Sequence, residues 1–593
     1  MSLARALRLL AITAAVLFLT VSLTVVVSAL AFPLAALAVF LVAALAFLAL
    51  KLVSKRVPRG SVLEIDLDKG VVEKPPTSPL ERMLHQGAVV LRDVTDAFDR
   101  AAGDARVEGV VVRLGNGGLG LAQAQELRDA VARFRTSGKR AIAYADSFGE
   151  SGRATIDYYL ATAFEEIHLQ PVGGVSIEGM VSRAPFLRSL LDKLGVVPDF
   201  DHRRRYKSAM YLLTERGYVE PHEEMARSIL SDQMSQIVAG IASDRGLDPD
   251  RVRDLIDGAP LLGTEALEAG LVDGLSYRDQ AYEAAGGHDP NFIFHDRYLK
   301  RAGRPHRRGQ RIGLVYATGT IVRGSSGFDP MTRGTTLGAD DVALALREAR
   351  EDEKVRAIVF RVDSPGGSAV ASEVVRREVV RAREAGKPVV VSMGDVAGSG
   401  GYWISTPAER IVAQPGTITG SIGVVSGKLA ARSAWERVGI DWGELHEGRN
   451  ATFSVALEPY TDSERERLAA GLDAIYDDFK QRVAEDRGLE LAEVEELAQG
   501  RVWIGSQAAE RGLVDELGGL HTAIELARKL ADLAPDDPLK VSVFPARRAV
   551  PFPQRKEGSD PVSAILVVVA GVIETVSRLS AGAMGELRMS RWR

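Results

Sequence analysis

Residues 158–171 read YYLATAFEEIHLQP, and residues 402–415 read YWISTPAERIVAQP. They stand 244 positions apart, and the same spacing links Gly195 in KLGVV to Gly439 in RVGID. Further on, DRGL at Asp244 answers DRGL at Asp486, and LLGTEALEAGLVDG answers WIGSQAAERGLVDE, now at an offset of 242. One such match arises by chance; a colinear series marks an internal duplication. The bulk of the chain is one unit written twice.

Each copy alternates strand and helix. In the second, 312–321 predicts a strand, 339–350 a helix, and 356–362 a buried strand rich in β-branched residues. A helix over 369–385, a buried strand over 388–393 and a helix beginning near Ser399 follow. The first copy repeats this with a strand at 107–114, a helix at 122–136 and a strand at 140–144. The alternation predicts parallel βαβ units and an α/β fold. The expected first domain covers 60–280 and the second 312–540, joined by a solvated linker over 281–311. That linker ends in a basic run including Lys300, Arg301, Arg304, Arg307, Arg308 and Arg311. A tail over 541–593 contains AILVVVAGVI at 564–573, apolar but too short to span a membrane.

The opposite end is different in kind. From residue 9 to residue 50 there is no charged side chain. As helix that run reaches about 63 Å, about twice a ~30 Å hydrocarbon core. Residues 1–56 are therefore expected to form a transmembrane anchor, preferably a helical hairpin turning near Pro33. A signal peptide's apolar region is about 7–15 residues, shorter than this run. Arg5 and Arg8 precede it, and Lys51, Lys55, Arg56 and Arg59 follow it. A hairpin puts both basic ends on the cytoplasmic side, whereas a single tilted span puts the large domain on the other side. The sequence leaves both topologies open.

Composition removes several function classes. A chain of 593 residues exceeds one ordinary core. Its net charge of -5 lacks the basic excess of a general nucleic-acid binder. With no cysteine there is no thiol nucleophile, disulfide or cysteine metal site.

Three segments of the second copy carry candidate chemistry. Arg361-Val-Asp-Ser-Pro-Gly-Gly367 follows a buried strand, and its glycines let backbone N–H groups approach a ligand closely. An ordinary Pro-Gly turn accounts for the same residues. Met393-Gly-Asp-Val-Ala-Gly-Ser-Gly-Gly-Tyr402 sets Ser399 between glycines at a strand-to-helix junction, with the Gly400 N–H beside it. Ser399 would equally serve as a helix N-cap. Thr419-Gly-Ser-Ile-Gly423 offers Ser421 to orient a base, or is a plain bulge. No histidine lies between Ser399 and Leu445, so a Ser–His–Asp triad has weak support. A buried lysine substitutes, because desolvation leaves a neutral amine able to take the hydroxyl proton.

The segments VDSPGG, GDVAGSGGYWISTPAERIVA, PGTITGSIGV and GRVWIGSQAAERGLVDELGG resemble the C-terminal half of the long, duplicated form of signal peptide peptidase A (protease IV). Tyr206-Lys207-Ser208-Ala209 resembles the family's lysine motif in the N-terminal half. The resemblance covers about residues 60 to 540. It implies crotonase/Clp-protease-like βαβ-repeat domains, Ser399 as nucleophile, Lys207 as general base and Ser421 orienting the lysine. It implies oxyanion donors at Gly366, Gly367 and Gly400, and no metal or organic cofactor. The implied partners are apolar peptides such as signal-peptide remnants, membrane lipid, and further copies of the chain in a tetrameric ring. The implied location is the bacterial cytoplasmic membrane, with the catalytic domain on the periplasmic or extracellular side. The duplication adds its own argument. Thr155 stands at the first copy's nucleophile position and Ala451 at the second copy's lysine position, so each half holds one member of the pair. The site is expected between an N-terminal and a C-terminal unit, in one chain or across neighbours. Two rival readings are a crotonase-like acyl-CoA enzyme and a non-catalytic membrane scaffold.

Overall fold

The computed structural model describes residues 3–29, 56–76, 79–150, 152–287, 290–329 and 334–545. The duplication is visible as two sheets that share one order of parallel strands, the second also carrying Ile418–Gly420 and Val502–Ile504, which pair antiparallel. In the first, the order is Gly274–Leu275, Glu166–Leu169, Arg140–Ala145, Val107–Arg113, Ser61–Asp66 and Asn291–Phe294. In the second, Glu516–Leu517, Arg410–Ala413, Val389–Gly398, Val355–Ser364, Gln310–Thr318 and Leu539–Phe544 follow the same order. Central strands such as Val355–Ser364 are buried on both faces because helices cover both. Ala339–Glu351 and Ala369–Glu384 pack together over one face, and Leu520–Leu530 lies against the other. Its counterpart in the first unit, Arg278–Gly286, lies against Val107–Arg113 and Arg140–Ala145.

Matching bonds hold the two copies. The Tyr158 hydroxyl donates to the Leu271 carbonyl at 2.6 Å, and the Tyr402 hydroxyl to that of Leu513 at 3.0 Å. Each unit also carries a 26-residue helix, Glu220–Arg245 and Asp462–Arg487, ended by a left-handed glycine, Gly246 and Gly488. Glycine tolerates that conformation without a Cβ penalty.

The expected elements are present with shifted ends. The strand anticipated at 388–393 runs on through Gly398, and the helix after Ser399 is one turn, Gly400–Trp403. The stretch anticipated as a linker is largely ordered secondary structure. Arg278–Gly286 and His295–Ala302 are helices, and Asn291–Phe294 pairs with the edge strand Ser61–Asp66. Part of its basic run is engaged: Arg304 bridges Asp93 and Asp96 at 2.6 and 2.8 Å, and Arg311 pairs with Asp352. Those basic residues serve packing that the sequence pattern did not reveal.

Of the anticipated membrane anchor, a helix covers Leu3–Ala29. In it Leu10, Leu17, Phe18 and Leu19 are each at least two-thirds exposed. Among the described residues no helix is long and apolar enough to cross a membrane. The second anticipated span and the apolar stretch at 564–573 lie outside the described residues.

Among the described residues the two units meet along several seams, two of which bear on the site. Val197–His202 of the first pairs antiparallel with Val425–Ala430 of the second. The helix Leu121–Arg135 of the first packs on the second sheet, where the Gln125 side chain accepts from the Gly416 amide at 2.7 Å.

Candidate active site

Ser399 ends the strand Val389–Gly398 and caps the single turn that follows. Its backbone is held at φ 53° and ψ -117°, sparsely populated for a non-glycine residue. Such strain costs on the order of 1–3 kcal/mol and persists where surrounding contacts over-determine it. Here the Ser399 amide donates to the Gly420 carbonyl at 2.8 Å, and the Trp403 amide donates to the Ser399 carbonyl at 2.9 Å. The result is a half-buried hydroxyl projected from a fixed backbone.

Lys207 arrives from the other unit. The antiparallel pairing ends at His202 and Val425, and the chain then turns so that the Lys207 Nζ lies 2.9 Å from the Ser399 Oγ. These side chains are 192 residues apart in sequence and meet within one chain. The same Nζ lies 2.9 Å from the Ser421 carbonyl oxygen and 3.0 Å from the Ser421 Oγ. Lys207 is 6% exposed, and burial pulls its ammonium pKa from 10.5 down to about 7. No carboxylate opposes that shift; desolvation is its one cause.

The Asp363–Gly367 turn abuts the serine. A Cβ added at Gly366 would sit 2.6 Å from the Gly400 nitrogen and 2.8 Å from the Ser399 Cβ, so only glycine allows this approach. The Gly366 amide is already engaged, donating to the Ser364 Oγ at 3.2 Å. The amides of Gly367 and Gly400 donate to no acceptor among the described residues, which singles them out of the three glycines. A cavity of about 460 Å³ opens beside this turn, lined from both units by residues including Val72, Gln123, Thr320 and Pro365.

The residues at the reciprocal positions look different. Thr155 is 3% exposed and spends its hydroxyl on the Gly179 carbonyl at 3.0 Å, and Ala451 is exposed. Two features went unread in the sequence. Gly500 lies against the Lys207 backbone. Arg361, 1% exposed, donates to Glu73 at 3.0 and 3.1 Å and to Glu126 and Ser392 at 2.9 Å, joining the units behind the site. An arginine within a strand expected to be buried signals the need for a counter-charge, but nothing local names its partners.

The sequence model of peptidase family S49 matches residues 133–288 and 381–534, once in each unit. Protease 4 of Haemophilus influenzae is 32% identical over 75% of this chain and 73% of its own length. The chain belongs to peptidase family S49. Protease 4 of Salmonella typhi, 32% identical over 81% of this chain and 80% of its own length, agrees with that membership. So does the chloroplastic serine protease SPPA of Arabidopsis thaliana, 29% identical over 90% of this chain and 77% of its own. A ClpP1 mutant of Listeria monocytogenes overlaps 36% of the chain with a TM-score of 0.23, too slight to bear on the argument. As an S49 member the chain is a serine peptidase whose family domain is present twice.

Proposed function

We propose that the chain is a membrane-anchored endopeptidase that hydrolyses apolar peptides, remnant signal peptides among them, with a Ser399–Lys207 dyad. The observation that carries this reading is the 2.9 Å approach of a desolvated Lys207 amine to the Ser399 hydroxyl. A neutral amine has two N–H donors and one lone pair. Ser421 supplies two acceptors, its carbonyl and its hydroxyl oxygen, which use both donors and leave the lone pair to Ser399.

Lys207 then takes the Ser399 proton as Oγ bonds to the peptide carbonyl carbon. The Gly367 and Gly400 amides receive the developing oxyanion. The C–N bond breaks, the lysine ammonium protonates the departing amine, and an acyl-enzyme remains. Water, deprotonated by the same lysine, releases the acid. The substrate class is supported by relatives named Protease 4 and, in Enterococcus faecium, putative signal peptide peptidase SppA. Anchorage is supported by the uncharged run at 9–50 and by the exposed apolar side chains Leu10, Leu17, Phe18 and Leu19. Anchorage would hold the enzyme where such peptides lie. Val438, Ile440, Trp442 and Leu445 are exposed apolar side chains close in sequence, and further copies would assemble there.

The direct test is covalent. A fluorophosphonate probe should label the detergent-solubilised chain at Ser399, and Ser399→Ala should lose both label and peptidase activity. Full hydrolysis by Ser399→Ala would refute the dyad. The state of the lysine adds a second expectation. Since its neutral form is the base, kcat/KM should rise with pH through about 7 and level off above it. A profile flat between pH 5.5 and 8.5 would contradict this (a window bracketing that value).

A further inference from the structure

From the packing around Gln499, Gly500 and Arg501 we infer that this segment is the positioning clamp that sets the Lys207 amine against Ser399. The inference rests on the dyad reading above and deepens it. Lys207 belongs to the first unit, yet its segment is gripped by a turn of the second. The Tyr206 amide donates to the Gln499 carbonyl at 3.0 Å, the Ser421 amide to the Arg501 carbonyl at 2.7 Å, and the Gly500 amide to the Ile422 carbonyl at 2.8 Å. Three consecutive residues thus hold both the lysine segment and the serine that receives its N–H groups. Their side of the clamp is anchored in turn, since the Gln499 amide donates to the Tyr476 hydroxyl at 3.2 Å.

Gly500 permits the fit. It has φ +75°, and a Cβ there would sit 2.5 Å from the Lys207 nitrogen, 2.7 Å from its Cα and 2.6 Å from its Cβ. Those are backbone and stem atoms that cannot swing aside. On the opposite flank, a Cβ at Gly423 would lie 3.2 Å from the Lys207 Cδ and 2.7 Å from the Gly500 Cα. The duplication supplies an internal comparison. At the 242-residue offset, Gly258 is the first unit's counterpart of Gly500. With no lysine to accommodate it adopts φ -84°, ψ -8°, and its nearest contacts are carbonyls of its own helix, 3.3 and 3.8 Å from an added Cβ. The same glycine takes the left-handed conformation only where the lysine packs on it.

The test is Gly500→Ala in the full chain, with Gly488→Ala as the matched control. Gly488 has a similar φ of +65°, but an added Cβ there meets nothing within 4 Å. Gly500→Ala should lower kcat by about 100-fold with little change in KM, the size of effect expected when a catalytic group is displaced by about 1 Å. It should also move the pH midpoint of kcat upward by about 0.5 or more, because a displaced amine is less desolvated. Gly488→Ala should match wild type in both. Wild-type kcat and midpoint in folded Gly500→Ala, or the same loss in both variants, would overturn the clamp. Should Gly500→Ala not fold, Tyr476→Phe removes the hydroxyl that Gln499 donates to and that itself donates to Glu495 at 3.3 Å. A lower kcat with a raised midpoint is then expected, and an unchanged midpoint overturns the inference. Lys207→Ala separates the two levels of argument. If that variant stays active the dyad itself fails; if it is inactive while Gly500→Ala behaves as wild type, the clamp alone fails.

Discussion

Lys207→Met should lower kcat/KM for peptide hydrolysis by on the order of 10³-fold or more, and the protein should become more stable, not less, below pH 7. The two halves of this expectation have one cause. Burial alone depresses the Lys207 pKa to about 7. The folded chain therefore releases the lysine proton near pH 7, whereas the unfolded chain keeps it to about 10.4. Between those limits the unfolded state binds more protons, so stability rises with pH across that window. Below pH 7 the folded state carries a buried ammonium, a penalty of several kcal/mol. Methionine fills a similar volume without the charge and lifts that penalty. Urea denaturation at pH 6 and pH 9 measures it: the gain over wild type should be larger at pH 6. Loss of activity with an equal loss of stability at both pH values would mean that Lys207 is a structural residue.

Arg361→Met should destabilise the chain by about 3–5 kcal/mol at pH 8, because it leaves buried carboxylates without their counter-charge. Arg361 lies on Val355–Ser364, the strand that leads into the Gly366–Gly367 turn, and its partners Glu73 and Glu126 come from the first unit. Asp363 and Asp395 are close behind. Desolvation raises Asp363 to about 6 and Asp395 to about 7, and burial pushes Glu126 upward as well. Groups whose folded pKa is raised stabilise the fold below their unfolded pKa, and that contribution is lost as pH rises through the folded value. Without the guanidinium these shifts grow, so the deficit should be largest at pH 8 and shrink toward pH 5. Denaturant midpoints at both pH values decide it. Glu73→Gln and Glu126→Gln, added to Arg361→Met, should recover much of the loss, since an unpaired charge costs more than a missing pair. A deficit independent of pH would assign Arg361 a packing role alone.

The arrangement explains why the units cannot be treated as separate enzymes. The seam that carries Arg361, the strand pair Val197–His202 with Val425–Ala430 and the Gln499–Arg501 turn together fix one half on the other and bring the amine to the hydroxyl.

Local sequence was informative where the chemistry is local. Strand–helix alternation, the serine between glycines and the colinear repeats all follow from short-range patterns of burial and backbone freedom, so the α/β class and the twofold writing of the chain were legible in the residues alone. So was the complementarity of the halves, Thr155 opposite Ser399 and Ala451 opposite Lys207. Only the tertiary structure decided how far Lys207 stands from Ser399, that the two belong to one chain, and that Gly367 and Gly400 rather than Gly366 keep amides unspent. It alone revealed that the stretch expected as a linker holds the end of the helix Arg278–Gly286, the strand Asn291–Phe294 and the helix His295–Ala302, and that Gly500 and Arg361 touch partners from the other unit. The reason is physical: a residue's burial and contacts with a segment hundreds of positions away are set by how two sheets dock, and docking leaves no period or motif in the sequence around either partner.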